Sequence, residues 1–68
     1  MNLEDKNTIV NKVRDFLINE GLTHDEAVNA IIDAEIIPII NWDDARGEVR
    51  AVQDYAAEAY EFWKAKQN

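Results

Sequence analysis

Residues 30–44, AIIDAEIIPIINWDD, constrain this chain more than any other stretch. They hold six of its eight isoleucines, its single proline and the first of its two tryptophans. A segment so apolar has to be buried, and amphipathic helical pattern lies on both sides of it. The expectation is therefore two helical arms closing on a buried turn. Within Ile36–Ile40 the β-branched run admits a short extended strand. No other segment reads as β, and a lone strand is not stable by itself. A buried irregular loop is the preferred reading, with a strand paired across a dimer axis as the alternative.

The first arm reads as two helices. Ile9, Val10, Val13, Phe16 and Leu17 recur with the spacing of one helical face, preceded by Glu4 and Asp5, acids suited to a helix N-terminus. Ile18 points off that face, and Gly21 ends the helix as glycine does at a C-terminus. Thr23 followed by Glu26 is a capping box, with Leu22 placed to act as a hydrophobic staple. Ala27, Val28, Ile31 and Ile32 then continue at helical spacing. Glu35 breaks the apolar arc and Pro38 disfavours helical geometry at Ile37, which sets the end of the second helix near Ala34–Ile36.

The second arm reads as one long helix capped by Asn41 or Asp43 and closed by Lys64 and Lys66, a polarity that complements the helix dipole. Ala45, Val49, Val52, Ala56, Ala59 and Trp63 form a heptad-like seam. Gly47 weakens its start by roughly 1 kcal/mol relative to alanine. Such a helix runs about 36 Å at 1.5 Å per residue, longer than either earlier helix can cover. Its aromatic C-terminal half, with Tyr55 and Phe62 on one side of the seam and Tyr60 on the other, is expected to overhang. Exposed patches of that kind mark protein contacts. Asp54, Glu58 and Glu61 make an acidic stripe on the outer face, read first as a solvated surface.

Length and composition narrow the function. Sixty-eight residues make one domain, 1–68, with a thin core that buries only about 60% of the unfolded surface. There is no cysteine and one histidine, so neither disulfides nor a thiolate or ordinary zinc site is available. Stability must come from helix packing or from a second copy. The formal charge is −7, and residues 21–40 contain no Lys or Arg. Such a field repels nucleic acid and anionic lipid and favours neutral or basic protein surfaces. No run approaches the 18 apolar residues of a membrane span, and the N-terminal residues lack the pattern of a signal peptide. A cytoplasmic protein with no direct nucleic-acid or membrane partner is expected.

Enzyme readings fail on inventory. The chain has no serine or cysteine, the usual acyl-transfer nucleophiles. His24 sits in the first turn of a helix, where the dipole opposes an imidazolium, and is read as structural. Asn41, Asp43 and Asp44 lack the spacing of a calcium loop and are read as capping residues. No catalytic, metal or cofactor site is assigned. Phe16–Ala30 has helix-turn-helix grammar, but the charged residues of the second helix are all acids, where base and phosphate readers carry Arg, Lys, Asn or Gln.

Gly21-Leu22, Ala27 and Ala30-Ile31 resemble the Gly-Phe…Ala…Ala-Leu signature of ubiquitin-associated-like three-helix domains. The resemblance covers about 11 residues, and it implies a three-helix binding domain with Asn41–Val49 as its third helix. Leu22 replaces the usual Phe, Glu20 the preceding Met, and the last helix is longer than that family's.

The sequence therefore reads as an all-α three-helix bundle with a long C-terminal helix, able to dimerise. Its expected role is protein binding, to itself or to another subunit, through Ile39, Ile40, Trp42, Tyr55, Tyr60 and Phe62, because aromatic anchors dominate interfaces. The alternative is an acidic mimic of nucleic acid that blocks a basic groove with Asp25, Glu26, Asp33, Glu35, Asp54, Glu58 and Glu61.

Overall fold

Helix α1, Leu3–Asn19, opens the computed structural model, which describes residues 3–67, with side chains from residue 7 onward. The side chains of Glu4 and Asp5 lie outside the described residues. Val13 and Leu17 are fully buried and Ile9 and Val10 pack beside them, whereas Phe16 and Ile18 sit at the edge of the face and stay partly exposed. The helix stops in a Schellman motif. Leu22 N–H donates to the Leu17 carbonyl (3.2 Å) and Gly21 N–H to that of Ile18 (3.0 Å). Gly21 takes a positive φ of 112°, the conformation that makes glycine the common residue after a helix end.

Helix α2, His24–Asp33, starts on the expected capping box. Glu26 N–H donates to Thr23 Oγ1 (3.1 Å), and Thr23 N–H donates to Glu26 Oε1 (2.9 Å). Such a cap contributes about 1 kcal/mol. Ala27, Ala30 and Ile31 face the core, and Ile32 is left exposed. After α2 only two residues, Ala34 and Glu35, turn into the next helix. Glu35 carries this turn at φ 57°, ψ 39°, the left-handed region that side chains with a Cβ enter at a cost of about 1–2 kcal/mol.

The isoleucine-rich segment is neither loop nor strand. Residues Ile36–Ala45 form helix α3, with Pro38 at its third position. The first four N–H groups of a helix have no intrahelical acceptor, so the missing proline N–H costs nothing there. Ile36, Ile40 and Asp43 are the buried side chains of α3, a helical i, i+4, i+7 face in which an acid holds the third place.

The expected long C-terminal helix is also broken. Asp43 does not cap it but lies in the last turn of α3. Glu48 N–H donates to the Asp43 carbonyl (2.8 Å) and Gly47 N–H to that of Asp44 (3.0 Å), a second Schellman motif with Gly47 at φ 69°. Gly47 is thus a terminator and not a weak interior residue. Residues 48–51 connect to helix α4, Val52–Gln67, whose 16 residues do not exceed the 17 of α1. Asn41–Val49 therefore does not form the third helix of a ubiquitin-associated-like domain; only residues 41–45 are helical.

Helices α1, α2 and α4 pack on one another, and α3 touches all three. Four helices and no strand are found among the described residues. Tyr55, Ala56 and Ala59 bring α4 into the core, flanked by Val52, Tyr60 and Trp63. The small alanines let α4 approach closely, giving a compact all-helical body of 35 × 18 × 16 Å. No described helix is long and apolar enough to cross a membrane.

Candidate functional site

The α3–α4 connection is held by a buried polar cluster. Asp43, only 1% exposed, faces the core because it occupies the i+7 place after Ile36. Its Oδ2 accepts from the Tyr55 hydroxyl (2.8 Å) and from Arg50 Nε (3.0 Å), and its Oδ1 from an Arg46 guanidinium nitrogen (3.3 Å). The Tyr55 oxygen in turn accepts the Arg50 backbone N–H (3.0 Å). The Arg50 guanidinium lies 5.3 Å over the Tyr55 ring and reaches Glu58 at 3.3 Å.

The Tyr55 hydrogen bond, helped by Arg50 and Arg46 and opposed by burial, holds the Asp43 carboxyl below its ordinary range. Burial pushes the Tyr55 hydroxyl up, and the Asp43 carboxylate adds to this, against the Arg50 N–H. The hydrogen bond to Asp43 also raises the Arg50 guanidinium. These groups satisfy one another, and among the described residues no buried side-chain donor or acceptor lacks a partner. Arranged so, the cluster ties the end of α3 to the start of α4.

The six residues proposed for protein contact divide. Ile40 and Tyr55 are core, 1% and 0% exposed, so neither can form a contact surface while the chain is folded. Ile39 and Tyr60 are half-buried, and Trp42 and Phe62 are 65% and 44% exposed. No length mismatch between helices exposes them. Trp42 lies on the side of α3 turned away from the core, whereas Phe62, seven residues after Tyr55, sits at the edge of the core-facing side of α4.

Ile39 and Phe62 line an open groove of about 570 Å³ together with Ala34, Ala57, Glu58 and Glu61. Trp42 follows Ile39 by three residues and shares its side of α3. Arg46 lies 5.9 Å over the Trp42 ring. Lys66 lies 5.6 Å over Phe62 and bonds Asp33 at 2.7 Å, clamping the ends of α4 and α2. Tyr60 lines a second groove, of about 180 Å³, with Phe16, Leu17, Glu20 and Ala56, and Ala57 and Glu61 belong to both. A third, of about 160 Å³, lies apart between Val10, Arg14, Val28, Ile32 and Ile37.

Ala57 and Phe16 were not among the expected contact residues. Ala57 sits off the seam, where a small residue carries no signal of its own, and Phe16 reads as core by spacing. Of the seven mimic acids, Glu26 is used in the α2 cap, Asp33 pairs with Lys66 and Glu58 with Arg50. No family model, curated protein or solved structure matches this chain.

Proposed function

We propose that this protein is a small, acidic, non-enzymatic binding module that works in the cytoplasm and buries the outer apolar edge of α3 and α4 in a protein partner. The observation that carries this reading is the exposure of Trp42 and Phe62 beside Ile39 and the adjoining groove. Tryptophan and phenylalanine are costly to leave in water, and their burial yields about 25 cal/mol per Å². Large aromatic side chains are also the usual anchors of protein interfaces. The mimic reading has less support, since three of its seven carboxylates are engaged within the chain.

Affinity capture from the source cells tests the proposal when wild type is compared with the Trp42→Ala/Phe62→Ala variant. A stoichiometric partner should be held by wild type in both low and high salt and lost from the variant, with both showing the same helical circular dichroism. Equal capture by the two chains would contradict it, and capture abolished by salt alone would favour the acidic mimic.

A further inference from the structure

Two of the grooves meet on one helix. Ala57 and Glu61 of α4 line both the groove toward Ile39 and the groove toward Phe16. Ala57 is exposed and presents only a methyl group, so another backbone can approach α4 closely at that point. The lining positions 57 and 61, and 58 and 62, recur at the i, i+4 spacing of a helix surface. Apolar walls stand on either side, Phe62 and Ile39 on one and Tyr60 on the other. The rim is mainly acidic: Glu61 makes no ion pair among the described residues, Glu58 shares its charge only with Arg50 at 3.3 Å, and Glu20 borders the smaller groove, while Lys66 over Phe62 is neutralised by Asp33 at 2.7 Å.

We infer that the two grooves form one docking site for a basic amphipathic α-helix of a partner protein. Its apolar face lies over Ala57, between Phe62 and Tyr60, and its Lys or Arg side chains meet Glu58 and Glu61. This rests on the protein-binding reading above and names the partner's chemistry. An added strand has no template here, because the described residues offer no sheet edge, whereas grooves between helices take helices. A second copy fits poorly. An isologous contact brings each patch against its own copy, crowding the Glu20, Glu58 and Glu61 rims of two chains that each carry −7. An acidic helix meets the same repulsion, and a basic one gains both steering and specificity.

The test is an NMR titration of the isotopically labelled full chain with three synthetic helical peptides. They share one apolar face and carry Lys, Gln or Glu at the outer positions. The Lys peptide should shift the amides of Ile39, Ala57, Glu61 and Phe62 and bind about 10-fold or more tighter than the Glu peptide at low salt, the gap closing as salt screens the rim. Glu61→Lys should erase the preference. Ala57→Trp should block binding with the fold intact, since its side chain points to solvent.

Equal binding of all three peptides at these residues would overturn the basic partner and leave the protein-binding reading standing. No shift at the groove with any peptide would overturn helix docking itself. The wider reading falls with it only if capture by wild type and by the Trp42→Ala/Phe62→Ala variant is also equal.

Discussion

Asp43 shows how one residue can hide an element and also hold it. An acid at the third buried position of α3 spoils the apolar periodicity, so the helix is invisible to a hydrophobic pattern. In the folded chain that carboxylate is saturated by Tyr55, Arg50 and Arg46. Tyr55→Phe keeps the ring and removes the donor to Asp43 and the acceptor for Arg50 N–H. It should lower stability by about 1–2 kcal/mol, measured by urea unfolding at neutral pH.

The same cluster sets a pH window. Asp43 binds protons less readily folded than unfolded, so its contribution is complete above its ordinary 3.8 and is lost as pH falls through the lower folded value. Tyr55 holds its proton more tightly folded, so its contribution is complete below 10.0 and is lost as pH rises toward the raised folded value. Urea midpoints should therefore fall below about pH 4 and above about pH 10, with the alkaline loss reduced in Tyr55→Phe. Glu35 gives the opposite kind of test. Its left-handed φ of 57° costs about 1–2 kcal/mol that glycine does not incur. After glycine's extra unfolded-state freedom is subtracted, Glu35→Gly should still raise the melting temperature by a few degrees.

Among the elements, α1, α2 and the inner face of α4 were legible because their apolar residues keep helical spacing and their boundaries use recognisable chemistry. Gly21, Thr23 and Glu26 act as their sequence context suggests. Val52, Ala56, Ala59 and Trp63 of the seam line up on α4, but Ala45 and Val49 belong to what precedes it. The break does not show in helix propensity, by which Gly47 is only a weak interior residue; its role is that of a terminator, as Gly21's is earlier in the chain. Pro38 misled in the reverse direction, since the loss of its N–H, unlike its restriction of Ile37, carries no cost within a first turn.

These alternatives give opposite signs in one substitution. A Cβ on Gly47 would meet nothing within 4 Å, so Gly47→Ala reads the backbone alone. It should destabilise by about 1 kcal/mol or more at a left-handed terminator. In an unbroken helix it would stabilise by about that amount. Thermal unfolding of this variant distinguishes the two arrangements.

At the scale of the whole molecule, composition pointed to an acidic helical body and the aromatic residues to a contact surface. Spacing alone could not divide those aromatics. Tyr55 and Phe62 flank the same side of the seam, yet Tyr55 is drawn inside by Asp43 and Phe62 is left at the groove. Ile40 went to the core once α3 became a helix, while Ile39 stayed half-buried at its edge and Trp42 turned outward. With acids rimming the groove and a charge of −7, the chain should scatter light as a monomer of 7.8 kDa at low ionic strength, where self-repulsion is least screened.

Site-specific photo-crosslinking in the source cells tests the binding surface most directly. A photoreactive phenylalanine analogue is placed in turn at Trp42, at Phe62 and at the exposed control position Asn11, beside the groove that lies apart. The predicted result is one discrete protein adduct, of the same mass from Trp42 and Phe62 and absent from Asn11. Adducts of equal yield at all three positions, or at Asn11 alone, would contradict a binding surface on the outer edge of α3 and α4.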